Sequence, residues 1–105
     1  MSALLAVLLA GCGKPVPPER MDYVGRWSAP GTTLTIEAVG RLEYHRKIDR
    51  ASTEITAEMT TFHDDRIVAG FSFISATFKV DKPPHLDGAE WKMTVDGVEF
   101  SRSAN

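Results

Sequence analysis

A chain of 105 residues allows one small domain and not two, and its 43% hydrophobic and 25% charged residues are ordinary for a globular fold. The formal charge of −2, with basic and acidic residues interspersed, excludes the electrostatic footprint of a nucleic-acid binder. The single cysteine excludes an intramolecular disulfide framework.

The first element is the uniformly apolar run Ala3 to Ala10, ALLAVLLA. As a helix it spans roughly 12 Å, against about 30 Å for the bilayer core. It is too short to cross a membrane and suits the apolar region of an export signal. The residues that follow, Leu9-Ala10-Gly11-Cys12, resemble the bacterial lipobox at every position. That resemblance implies cleavage after residue 11, a diacylglyceryl group on the Cys12 thiol and acylation of the new amino terminus. Several acyl chains together make a stable anchor. Residue 13 is Gly rather than Asp, which the sorting rule of such lipoproteins reads as the outer membrane, with the domain facing the periplasm. Met1-Ser2 lacks the usual basic residue, so either the true start lies upstream or export tolerates a neutral start.

The stretch Gly13-Lys14-Pro15-Val16-Pro17-Pro18 cannot continue a helix. Residues 12–20 are expected to be an extended, semi-rigid tether reaching roughly 25 Å. The expected organisation is therefore a signal over 1–11, an acylated tether over 12–20 and a folded domain over 21–103.

From Met21 the apolar pattern has a period of two, broken by turn residues. Tyr23, Gly25 and Trp27 share a phase, and Ala29-Pro30-Gly31 turns the chain. Leu34, Ile36 and Ala38 form the next run, and Val39-Gly40 a tight turn before Leu42 and Tyr44. A polar corner over Lys47 to Arg50 leads to Ile55, Ala57 and Met59. The stretch Ala51 to Phe62 also reads as a helix, but its threonines and its period favour strand. His63-Asp64-Asp65-Arg66 is a turn, and Ile67 to Ile74 reads as a buried central strand ahead of the alternative, an exposed partner surface. Phe78 and Val80 follow. Asp81 to Ala89, with Pro83-Pro84 and Gly88, is expected to be a loop. Trp91, Met93 and Val95 lead to Asp96-Gly97, a strong two-residue hairpin signal, and then to Val98 and Phe100.

About eight short strands joined by hairpins predict an all-β antiparallel meander. Every strand has one apolar face, so the sheet must close into a small barrel or curl strongly on itself.

Tyr23-Val-Gly-Arg-Trp27, Leu34-Thr-Ile36, Phe78-Lys-Val80 and the ending Trp91-Lys-Met-Thr-Val-Asp-Gly-Val-Glu99 resemble a group of small lipoproteins of Gram-negative bacteria. The resemblance spans nearly the whole chain after the leader. It implies an exported, lipid-anchored all-β domain and no particular activity. The Gly25-x-Trp27 entry is also similar to that of lipocalin-type barrels, where the tryptophan plugs one end.

Chemistry is sparse. None of the three histidines, His45, His63 and His85, stands in a metal-ligand spacing. His63-Asp64-Asp65 and His85-Leu86-Asp87 would supply ligands only if they met in space, and they read as polar turns. No serine stands in a nucleophile elbow, and Glu37, Glu43, Glu54 and Glu58 take polar phases of strands. No catalytic residue, metal or cofactor is expected. The leading expectation is a non-enzymatic lipoprotein that contacts the membrane through its acyl chains and binds an envelope protein or component. The alternative is a lipocalin-like carrier holding a small apolar ligand between Trp27, Phe73, Phe78 and Trp91.

Overall fold

The computed structural model of the chain describes residues 15–71 and 74–103. The predicted leader, Cys12 and Phe73 lie outside the described residues.

The chain enters through a 3-10 turn, Pro18–Tyr23. Pro17 precedes it in an extended conformation, and Pro18 takes its first position, where a missing N–H costs nothing. Nine strands follow among the described residues: β1 (Gly25–Ala29), β2 (Thr32–Ile36), β3 (Leu42–Ile48), β4 (Ala51–Ala57), β5 (Met59–His63), β6 (Arg66–Phe71), β7 (Ile74–Asp87), β8 (Glu90–Val95) and β9 (Val98–Ser103). They form one antiparallel meander in the order β4-β3-β2-β1-β9-β8-β7-β6-β5, rolled into a nearly closed barrel. The first and last strands meet at Ser28 and Ser101.

Side-chain alternation builds the interior. In β2, Thr32, Leu34 and Ile36 point inward. Trp27, Leu42, Ile67, Met93 and Phe100 join them in a single buried cluster. The period of two carried this information, because shifting a strand by one residue would expose its whole apolar set.

The expected meander and curl are present, with four local departures. The run expected as one strand over Ala51 to Phe62 is two strands, β4 and β5, separated by a bend at Glu58. β4 pairs with β3, and β5 pairs with β6, so one length of chain passes from one end of the sheet order to the other. The bend also shifts the phase. Ala57 is buried, but Met59, expected inside, is exposed and Thr60 is buried in its place.

Asp81 to Ala89 is mostly strand, with β7 continuing to Asp87. Register shifts fall between Val80 and Lys82 and between Lys82 and His85. The second shift holds Pro83 and Pro84 where no ladder N–H is needed, the setting in which a strand tolerates proline. The corner expected at Lys47 to Arg50 shrinks to Asp49-Arg50, with Asp49 at φ 55. Lys47 and Ile48 extend β3 instead. The far halves of β3 and β4, His45–Ile48 and Ala51–Glu54, are exposed on both faces and make an arm that β2 and its turn flank as far as Lys47. The buried strand expected over Ile67 to Ile74 is divided: Ile67 and Ala69, at 0% exposure, lie in β6, which ends at Phe71, and Ile74 opens β7 opposite Phe71.

The Thr60 hydroxyl oxygen is buried with no hydrogen-bond partner. An unpaired buried hydroxyl costs free energy that an isosteric methyl does not. Thr60→Val is expected to stabilise the domain by about 1 kcal/mol, read as a raised denaturant midpoint with an unchanged slope.

Candidate functional site

The densest convergence of side chains sits where the first strand meets the last. The Trp27 indole N–H donates to the Tyr23 carbonyl oxygen at 2.9 Å, and the ring is fully buried. The Arg102 guanidinium lies 4.6 Å from the centre of the Trp27 ring and 5.3 Å from that of Trp91. One of its N–H groups donates to the Val24 carbonyl oxygen. A cation over two aromatic faces is held by their quadrupoles while it bridges to the backbone. Burial pulls the Arg102 guanidinium below its usual range, and the nearby Asp22 carboxylate partly offsets this.

Gly25 makes room for the bridge. Its φ of +139° disfavours any residue with a side chain. A Cβ there would stand 2.6 Å from the Arg102 Cδ. The Gly-x-Trp spacing thus has a local cause. Gly25 lets the arginine cross the backbone, and two residues on, Trp27 presents its ring on the inward face.

Arg102 was not singled out from the sequence, yet a signal for it was present. Asp96-Gly97 sets the β8–β9 turn, which places Trp91 directly opposite Arg102.

The four residues named for a ligand pocket do not share one place. Trp27 and Trp91 share Arg102, while Phe78 is buried against Tyr44, their ring centres 5.2 Å apart. Phe73 lies outside the described residues.

A second feature was hidden in the proline-rich stretch. Packing begins at Val16, which is buried and donates its N–H to the Ala38 carbonyl oxygen at 2.9 Å. The Tyr23 ring then packs at a tilt against Phe62, centres 5.1 Å apart, and Arg20 lies over both rings at 5.7 and 5.6 Å. Arg20 also donates to the Asp64 carbonyl oxygen at 3.1 Å. Burial raises the Tyr23 hydroxyl pKa. Residues 16–23 are therefore a strap packed against β5, where an extended spacer was expected through residue 20. A groove of about 320 Å³ remains between Pro15 and Pro17 on one side and Thr60 to His63 on the other. A second, shallower groove of about 520 Å³ lies on the far arm, lined by Arg46, Ile48, Asp49, Arg50, Ala51 and Thr53.

The histidines are dispersed. His45 sits on the exposed arm between Glu43 at 3.9 Å and Glu54 at 3.5 Å. His63 ends β5, and the His85 Nδ1 is 2.9 Å from the Pro83 carbonyl oxygen. The paired charges are also superficial. Lys92, for example, lies 3.4 Å from the Asp87 carboxylate, which raises its pKa. Among the described residues, no three His, Cys, Asp or Glu side chains group as a metal site.

No family model, curated protein or solved structure matches the chain.

Arg102→Met keeps the aliphatic stem but removes the cation and its hydrogen bond. It is expected to cost about 2 kcal/mol, measured by chemical denaturation. Gly25→Ala is expected to cost at least about 2 kcal/mol, and Arg102→Ala in the same chain should relieve part of that loss by removing the obstructing Cδ.

Proposed function

We propose that this protein is a lipid-anchored lipoprotein of the outer membrane, facing the periplasm, with a non-enzymatic binding or envelope-structural role. The observation that carries the reading is Leu9-Ala10-Gly11-Cys12, a short apolar run ending in the only cysteine and followed by prolines. A lone thiol in that position suits covalent use as a lipid attachment point.

The fold supports a binding role over catalysis. Among the described residues the histidines and carboxylates are spread over exposed strands and turns, whereas acid–base and nucleophilic chemistry need them convergent. The largest polar investment, Arg102 between Trp27 and Trp91, is committed to joining strands. The surface best disposed for a partner is the β3–β4 arm. β3 begins at Leu42, just after the turn that receives Val16, and ends at Ile48. Six residue steps of strand carry the arm roughly 20 Å from that turn. An anchor at one end and an arm at the other present the arm to the periplasm.

Cys12→Ser tests the anchor. The variant is expected to accumulate as an unlipidated, unprocessed precursor and to leave the outer-membrane fraction, read by intact mass and membrane fractionation. A variant that is still processed and still found in the outer membrane overturns the reading.

A further inference from the structure

We infer that the anchor-proximal end of the barrel is itself a lipid-contacting surface, seated on the bilayer interface through Val39, Met59 and Leu86. This rests on the proposed acylation of Cys12 and adds an orientation to it.

The strands fix the two ends of the main sheet. The β2–β3 turn, the β4–β5 bend, the β7–β8 turn and the start of β1 lie at one end. The β1–β2, β3–β4 and β8–β9 turns lie at the other. The strap enters at the first end, since Val16 is bonded to Ala38 in the β2–β3 turn.

Among the described residues, five large hydrophobic side chains are exposed: Met21, Val39, Ile48, Met59 and Leu86. Isolated exposed hydrophobics need no explanation, but these are unevenly placed. Val39, 55% exposed, is in the turn that receives the strap, whereas Met21 follows Arg20, which reaches the β5–β6 turn, and belongs to neither end. Met59 follows Glu58, whose carboxylate lies 3.8 Å from Arg41 beside that same turn. Leu86, 57% exposed, pairs with Trp91, which pairs with Arg102, which bonds to Val24 at the start of β1. Only Ile48 of the five is on the far arm.

Covalent reach supplies the occupant. Four residue steps separate Cys12 from the packed Val16, at most roughly 14 Å of extended chain. An acylated Cys12 lies at the membrane surface, so this end is held within that distance of the headgroups. Exposed methionine, valine and leucine side chains gain by leaving water there. The charges nearby are mixed, Arg20, Arg41 and Lys92 against Asp22, Glu58 and Asp87. Apolar insertion, rather than attraction to anionic lipid, is the matching chemistry.

The test uses the lipidated full chain in vesicles of zwitterionic phosphatidylcholine. With the Cys12 thiol consumed, a cysteine introduced as Val39→Cys, Leu86→Cys or Ile48→Cys carries the only free thiol and is labelled with an environment-sensitive nitrobenzoxadiazole dye. Circular dichroism confirms that each variant is folded, and the two proximal positions back each other up. Labels at 39 and 86 are expected to emit to the blue of the label at 48. They should also be quenched at least twofold more strongly by nitroxide lipid in the bilayer. If the protein floats with the vesicles but all three labels respond alike, or the label at 48 is quenched most, the surface proposal fails and the anchor stands. If the wild-type protein carries no lipid and does not float, the anchor reading fails and this inference with it.

Discussion

The fold depends on one bridge, Arg102 laid across Trp27 and Trp91 and bonded to the Val24 carbonyl oxygen. A meander closes only if its first and last strands meet, and here β1 and β9 share a single paired position, Ser28 with Ser101. The arginine strengthens that short seam from the side. It ties the last strand to the backbone just before β1 and covers the buried Trp27 indole. The requirement propagates outward. Trp27 must lie two residues from a position without a side chain, Trp91 must face Arg102, and the β8–β9 turn must hold that register. Asp96 and Asp81 secure the turn region through the Lys79 and Gly97 backbone N–H groups at 2.9 and 2.8 Å.

Curling nine strands around so small a core requires strands that change partners along their length. Two places do this. The chain bends at Glu58 between β4 and β5, and β7 shifts register around Lys82 to His85. Strands that bend or bulge form the corners by which one sheet turns over its own face. The bend moves Thr60 into the interior at a position its residue type does not favour, and leaves its hydroxyl unpaired. The bulge lets prolines sit inside a long strand. In both places local chemistry yields to the geometry of closure.

The two ends of the barrel differ in character. At one end the strap enters through Val16, and the exposed Val39 lies in the turn that receives it. At the other end the β3–β4 arm extends with both faces in water and carries Arg46, Lys47 and Arg50. Under the proposed reading, this polarity makes one end a seat and the other a reach, and the strap joins the lipid to the domain with little slack.

Much of this was legible in the chain alone. The period of two named the inward residues of β2, β8 and β9, because an antiparallel sheet with one buried face must alternate. Asp96-Gly97 announced its turn because few residues accept the positive φ that such a turn needs. The Leu-Ala-Gly-Cys stretch declared its proposed address without any fold, since a processing enzyme reads a local segment. What remained hidden was non-local. Nothing adjacent to Arg102 marks it, and its importance arises because Trp27, distant in sequence, comes to lie beneath it. Val16 looked like part of a spacer because its partner, Ala38, is contributed by a turn that exists only once the sheet has formed. The bend at Glu58 and the proline-bearing half of β7 followed from the need to close the barrel. That is a property of the whole sheet, which no window of sequence contains.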